Sequence, residues 1–232
     1  MSWWNEFREQ VECDAPLGQK TWFRLGGRAR YLFQPHDADQ LARLLTTAKQ
    51  AQVPVRVLGR GANVLVSDDG FDGVVVRLDH QNFRRTQKKG TRLTVGGGVD
   101  LTRLVRYCCI KGLAGLEGMA GIPATVGGAI RMNAGGRFGE FGNVVAQVDI
   151  LRPDGQRETW SKQHCGFGYR RSSIGDNIVL AAELELTEDE PSEVRKRFDE
   201  YFAIKQASQP LAEHSAGCIF KNPSGKSAGA LI

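Results

Sequence analysis

Apolar residues recur with helical spacing in three stretches of the chain. Residues 37–52 place Leu41, Leu44, Leu45 and Ala48 on one face, with Asp37 or Asp39 able to cap the start. Residues 99–111 place Leu101, Leu104, Val105 and Cys108 inward, and Gly112 stops the helix. Residues 191–207 start on a proline and turn Val194, Phe198, Tyr201 and Phe202 to one side. Between these helices run short apolar segments with strand character: 53–58, 64–67, 74–78, 91–95, 144–152, 156–160 and 178–186. Pro153-Asp154-Gly155 joins two of them as a hairpin turn. The pattern predicts a small α/β unit over about residues 20–80. A polar stretch at 79–90 then links it to a second α/β unit.

Composition narrows the class. The 232 residues are 41% hydrophobic and 25% charged, which suits a globular protein of one large or two smaller domains. The net charge of +5 comes from scattered Arg and Lys. Only Arg84-Arg85 and Lys88-Lys89 form a short run, so no basic stripe of a nucleic-acid binder is present. A modest positive field suits an anionic ligand. Five cysteines (13, 108, 109, 165 and 218) form no C-x-x-C pair, which fits a reducing cytoplasm. Cys108 and Cys109 read as core filling. No run of 18 apolar residues predicts a membrane span, and residues 1–14 lack the apolar segment of a signal peptide. The four histidines show no metal-ligand spacing.

Chemistry concentrates in the glycine-rich segments. Gly59-Arg60-Gly61-Ala62-Asn63 follows a strand, but Val64 stands where a dinucleotide fingerprint needs its third glycine, and a strand pattern follows instead of a helix. A Rossmann site is therefore rejected. A phosphate-cradling nest and a plain tight turn both remain open. The segment from Gly112 to Gly136 is richer still. Its part from Ile122 to Asn133 predicts a short helix whose Gly, Ala and Thr start lets backbone amides approach an anion. Gly225-Lys226-Ser227 lacks the upstream glycine of a P-loop, because Phe220 occupies that place.

Six motifs occur in order: Thr21-Trp22-Phe23-Arg24-Leu25-Gly26-Gly27, Leu58-Gly59-Arg60-Gly61-Ala62-Asn63, Gly121-Ile122-Pro123-Ala124-Thr125-Val126-Gly127-Gly128-Ala129, Met132-Asn133-Ala134-Gly135, Tyr169-Arg170 and Gly217-Cys218-Ile219-Phe220-Lys221-Asn222-Pro223. The series resembles the UDP-N-acetylenolpyruvoylglucosamine reductase family, over nearly the whole chain from about Gln19. The short interval between Tyr169-Arg170 and the cysteine motif looks like the branch without a substrate-capping insertion. The resemblance implies an α+β fold of the vanillyl-alcohol oxidase type, with FAD held between two subdomains. These would be 1–85, including an N-terminal extension 1–18, and 86–188. Residues 189–232 would begin a substrate-binding domain that this chain leaves incomplete.

The implied reaction is NADPH-dependent reduction, through FAD, of the enolpyruvyl group of a UDP-sugar to UDP-N-acetylmuramate, a cytoplasmic step of peptidoglycan synthesis. Neither nucleic acid nor membrane is an expected partner. By the resemblance, Gly59, Arg60, Gly61, Ala62 and Asn63, with Gly121, Ile122, Pro123, Thr125, Gly127, Gly128 and Ala129, contact the cofactor. Arg170 holds the substrate carboxylate as charge develops, and Cys218 supplies the proton. Cys218 stands where many relatives carry serine; a free thiol, with a pKa of about 8.5, stays mostly protonated at neutral pH and is the stronger acid. Tyr169, Lys221 and Asn222 sit near the substrate. Family members extend further and carry a catalytic Glu for which this sequence offers no match. The alternatives are a non-catalytic FAD-binding module and another flavin oxidoreductase of the same fold.

Overall fold

The structure is a computed structural model that describes residues 3–209 and 219–232. The chain opens with two strands, β1 (Val11–Pro16) and β2 (Arg28–Phe33), then helix α1 (Ala38–Gln50) and strands β3 (Val55–Val57) and β4 (Phe71–Val76). They form a sheet of order β1-β2-β4-β3 in which β1 is antiparallel to β2 and both β2 and β3 run parallel to β4. Asp37 caps α1 by accepting the Gln40 amide at 2.8 Å. Leu41, Leu44, Leu45 and Ala48 are buried as their spacing predicts. Burial of each leucine contributes about 2 kcal/mol.

The second half begins with β5 (Thr86–Lys89), β6 (Arg92–Gly96), helix α2 (Leu101–Ile110), the short β7 (Leu113–Ala114), helix α3 (Val126–Met132) and a two-residue ribbon, β8 (Gly135–Gly136) with β9 (Gly139–Glu140). It continues through β10 (Val145–Leu151), β11 (Arg157–Ser161), β12 (Ile178–Glu185) and β13 (Thr187–Glu188) to helix α4 (Pro191–Ser208). The larger sheet is antiparallel, in the order β11-β10-β12-β6-β5. Cys108 and Cys109 are buried with Leu101, Leu104, Ile130 and Phe141 in its core. Leu151 and Ile178 from this half join Phe33, Leu41 and Val76 of the first, so the two sheets share one apolar seam. A last turn of helix, α5 (Ala228–Leu231), closes the described residues.

Three expectations need correction. Residues 64–67 form no strand. Val64 and Leu65 are exposed and line a cleft instead of pairing. The first α/β unit begins before residue 20, because β1 pairs with β2 along its length and buries Ala15. The polar link at 79–90 contains β5, an edge strand whose four residues are all exposed.

Helix α4 braces the segments on either side of α3. Val194 and Phe198 are buried, and the Tyr201 ring stacks on Phe138 at 4.2 Å. Arg197 pairs with Glu117 at 2.9 Å and with Asp189 at 2.7 Å. Lys205 Nζ donates to the carbonyls of Gly118 and Ala120 at 2.6 and 2.9 Å. Burial pushes the Lys205 amine down from 10.5 to about 8. Between those values the folded chain binds fewer protons at this site than the unfolded chain, so this contribution makes stability rise with pH across the window. Cys108, pushed up to about 12 by burial, acts in the opposite sense above pH 9, the value from which it starts. The difference between the parent and Lys205→Met therefore isolates the amine. Urea midpoints at pH 7.5 and 9.5 should show the parent gaining on the variant as pH rises. Equal shifts in both would show that the amine is not desolvated.

Candidate active site

Between the two sheets lies a cleft of about 750 Å³. One wall carries Val57, Leu58 and Gly59, then Val64 to Ser67; the other carries Gly97, Gly98, Thr125, Gly127, Gly128 and Val179. Glycines let the backbone segments that build the cleft approach one another closely. A Cβ on Gly97 would meet the Val179 carbonyl at 2.1 Å, and one on Gly98 the Leu78 carbonyl at 2.0 Å. A Cβ on Gly59 would meet Thr125 Oγ1 at 2.6 Å, across the cleft.

The loop of residues 59–63 has the amides for an anion. Among the described residues, the backbone N–H groups of Gly59, Arg60, Gly61, Ala62 and Asn63 donate to no protein acceptor. Of these five residues, Gly59 lines the cleft and the other four do not. Gly61 has φ +67, and a Cβ there would press on Thr21. Arg60 pairs with Asp100 at 3.1 Å; Asp100 also caps α2 by accepting the Arg103 amide at 3.0 Å. Asn63 Nδ2 reaches Met132 Sδ at 3.5 Å.

The start of α3 differs from its expected use. Val126 N–H donates to Val99 O and Gly127 N–H to Gly97 O, at 2.9 and 2.8 Å. Gly128 N–H donates to Thr125 Oγ1 at 3.2 Å. The first two amides tie the helix to the backbone that follows β6, the third is taken by the helix's own cap, and none is open to an anion; Thr125, Gly127 and Gly128 contribute a cleft wall instead. Ala129 is buried in the core, and Ile122 packs against it. Gly121, with φ +75, and Pro123 also lie off the cleft wall.

The second constellation forms at a tight turn. Gly168 and Arg171 exchange backbone hydrogen bonds of 3.0 Å, with Tyr169 and Arg170 at the tip. Arg170 Nη1 donates to Phe220 O at 3.0 Å, and Asn222 N–H donates to the Tyr169 hydroxyl at 3.5 Å. Two motifs about 50 residues apart in the sequence thus meet in space. Asn222 Oδ1 accepts the Ala228 amide at 2.9 Å, which fixes its carbonyl face. Lys221 is exposed. Cys218 lies outside the described residues. The sequence reading missed Gly97, Gly98 and Arg131 as cleft residues. The run Gly96-Gly97-Gly98 was the available signal for the first two.

The FAD binding domain family matches residues 29–161. UDP-N-acetylenolpyruvoylglucosamine reductase of Gluconobacter oxydans is 40% identical over 97% of this chain and 73% of its own length. The enzyme of that name from Moorella thermoacetica is 39% identical over 96% and 74%. The chain belongs to the UDP-N-acetylenolpyruvoylglucosamine reductase family. The crystal structure of the reductase from Thermus caldophilus superposes with a TM-score of 0.83 at 38% identity, covering 96% of this chain and 79% of that one. Phl p 4.0202, a glucose dehydrogenase, superposes with a TM-score of 0.61 over 79% of this chain at 16% identity and shares the fold alone.

The reductase-family cleft fits FAD. Its largely apolar walls, Val57, Val64, Leu65, Ile174 and Val179 among them, suit the faces of flat rings. Gly59, whose amide donates to no acceptor among the described residues, lines the cleft. The missing Cβ at Gly59 keeps open the gap toward Thr125 on the facing wall. Among the described residues no helix is long and apolar enough to cross a membrane, and no three His, Cys, Asp or Glu side chains gather as metal ligands.

Proposed function

We propose that this chain carries out the reaction of its family, the NADPH-dependent reduction of UDP-N-acetylglucosamine enolpyruvate to UDP-N-acetylmuramate for peptidoglycan precursor synthesis. The observation that supports it best is the meeting of Tyr169-Arg170 with Phe220 and Asn222 in a chain that also carries the cofactor cleft. Residues 1–85 and 86–188 would be the two parts of the cofactor-binding fold, and 189–232 would belong to the substrate-binding part. The amides of Gly59 to Asn63 would hold the pyrophosphate of FAD, and the glycine walls its rings. Bound FAD supplies hydride transfer, accepting from NADPH and donating to the enolpyruvyl double bond.

The protein's own residues must manage charge and a proton. Hydride addition to the methylene carbon leaves negative charge shared between the adjacent carbon and the carboxylate. Arg170 would bind that carboxylate and hold it more tightly as the charge grows. Cys218 would donate a proton to the carbon beside the carboxylate. Lys221 would attract the diphosphate of the UDP group, and Asn222 and Tyr169 would orient the sugar nucleotide.

The test is spectroscopic. Purified chain should carry a yellow chromophore that bleaches when NADPH is added without oxygen and returns on adding the enolpyruvyl substrate. Bleaching without return would leave a flavin reductase that does not complete the second half. Well-folded protein without flavin would refute the proposal.

A further inference from the structure

Arg170 has φ +52, a left-handed conformation that a non-glycine residue keeps only when its surroundings enforce it. The surroundings that do so are few. The Gly168 carbonyl, at the base of the turn, accepts two hydrogen bonds: one from Arg171 N–H across the turn and one from Asn133 Nδ2, each 3.0 Å. Asn133 is 3% exposed and caps the end of α3, itself left-handed at φ 44 and ψ 56. Its side chain has no freedom left. Nδ2 also donates to Glu140 Oε2 at 2.6 Å, and Oδ1 accepts the Gly142 amide at 2.9 Å. Rotating the amide would break all three bonds, and buried polar groups rarely give up partners. Nearby, Ser172 Oγ donates to Arg131 O at 2.8 Å, and the Arg131 guanidinium donates to Gly175 O. The far end of α3 therefore grips the turn, while its near end forms the cleft wall.

We infer that Asn133 is a positioning residue for Arg170, acting through the Gly168 carbonyl. It does not line the cleft; its work is to fix where the guanidinium stands relative to the cleft. The inference rests on the substrate role proposed for Arg170. A plain helix cap would need only a residue that tolerates the left-handed conformation, and glycine does so at least as well.

Two variants separate these roles. Asn133→Gly keeps the cap and removes the side chain. Asn133→Asp keeps an acceptor for Gly142 but sets a carboxylate against Gly168 O and Glu140. In both, flavin reduction by NADPH should stay near the parent rate. The rate of flavin reoxidation by saturating enolpyruvyl substrate should fall about 100-fold, the usual cost of misplacing a reacting group by about 1 Å. Equal slowing of both halves, or no slowing of the second, would overturn the inference.

Trypsin gives a readout independent of turnover. Cleavage after Arg170 or Arg171 should be about tenfold faster in either variant than in the parent, as loss of one hydrogen bond to the turn predicts. Unchanged cleavage would overturn the inference whatever the kinetics show. If Arg170→Lys leaves flavin reoxidation untouched, the role given to Arg170 fails, and trypsin still decides whether Asn133 holds the turn.

Discussion

Replacing Gly59 with valine should weaken flavin binding and leave the fold standing. The added Cβ would lie 2.6 Å from Thr125 Oγ1 and 3.4 Å from its methyl group, across the cleft. Gly59 is not among the residues with positive φ, so its backbone accepts a side chain without strain. The clash is with a side chain, which can yield, and yielding pushes Thr125 into the space the ligand needs. Overpacking of this kind costs about 1–3 kcal/mol. Charged against binding, it weakens flavin affinity by about 5- to 150-fold. Flavin titration of the apoprotein would measure it, with far-UV circular dichroism as the control for folding. Gly97→Ala makes the contrast: its Cβ would sit 2.1 Å from the Val179 carbonyl, backbone that cannot retreat, so that variant should fail to fold. An unchanged affinity in Gly59→Val would place the flavin outside this cleft.

The same glycines show what sequence could and could not reveal. Helices α1, α2 and α4 were legible because each buries a face whose apolar residues recur at helical intervals. Strand β5 was not, since Thr-Gln-Lys-Lys has no buried face to betray it. In β1 only Ala15 is buried, too little for an alternation to show. Residues 64–67 misled for a physical reason: apolar character that reads as strand burial serves here to line a ligand cleft, and Leu65 is 72% exposed. The need for glycine at 97 and 98 arises from Val179 and Leu78, partners remote in the chain, so no local pattern announces it. Conversely, the helix start at Thr125 looked like an anion site because its residues are small. Only the fold reveals that its amides are already bound to Gly97, Val99 and Thr125.

Arg170→Lys should separate the two halves of the reaction. In the parent, one guanidinium nitrogen is committed to Phe220 O at 3.0 Å, which anchors the group while its other N–H donors remain for a carboxylate. That division of labour needs a planar fork. Lysine offers a single ammonium, which can hold the Phe220 carbonyl or meet the substrate but cannot present the same bidentate geometry. The interaction matters most when negative charge has grown on the substrate, so the loss should appear in the rate at saturating substrate and not only in KM. Removing one such stabilising contact typically slows the chemical step by about 100- to 1,000-fold. Reduction of the flavin by NADPH places no new charge on a carboxylate and should proceed at the parent rate. Stopped-flow absorbance of each half-reaction would decide. Slowing confined to flavin reoxidation supports the electrostatic role. Equal slowing of both would mean that Arg170 acts through the cofactor cleft. No slowing of either would reduce it to an ordinary residue at the tip of an exposed turn, leaving the substrate carboxylate without the partner proposed for it.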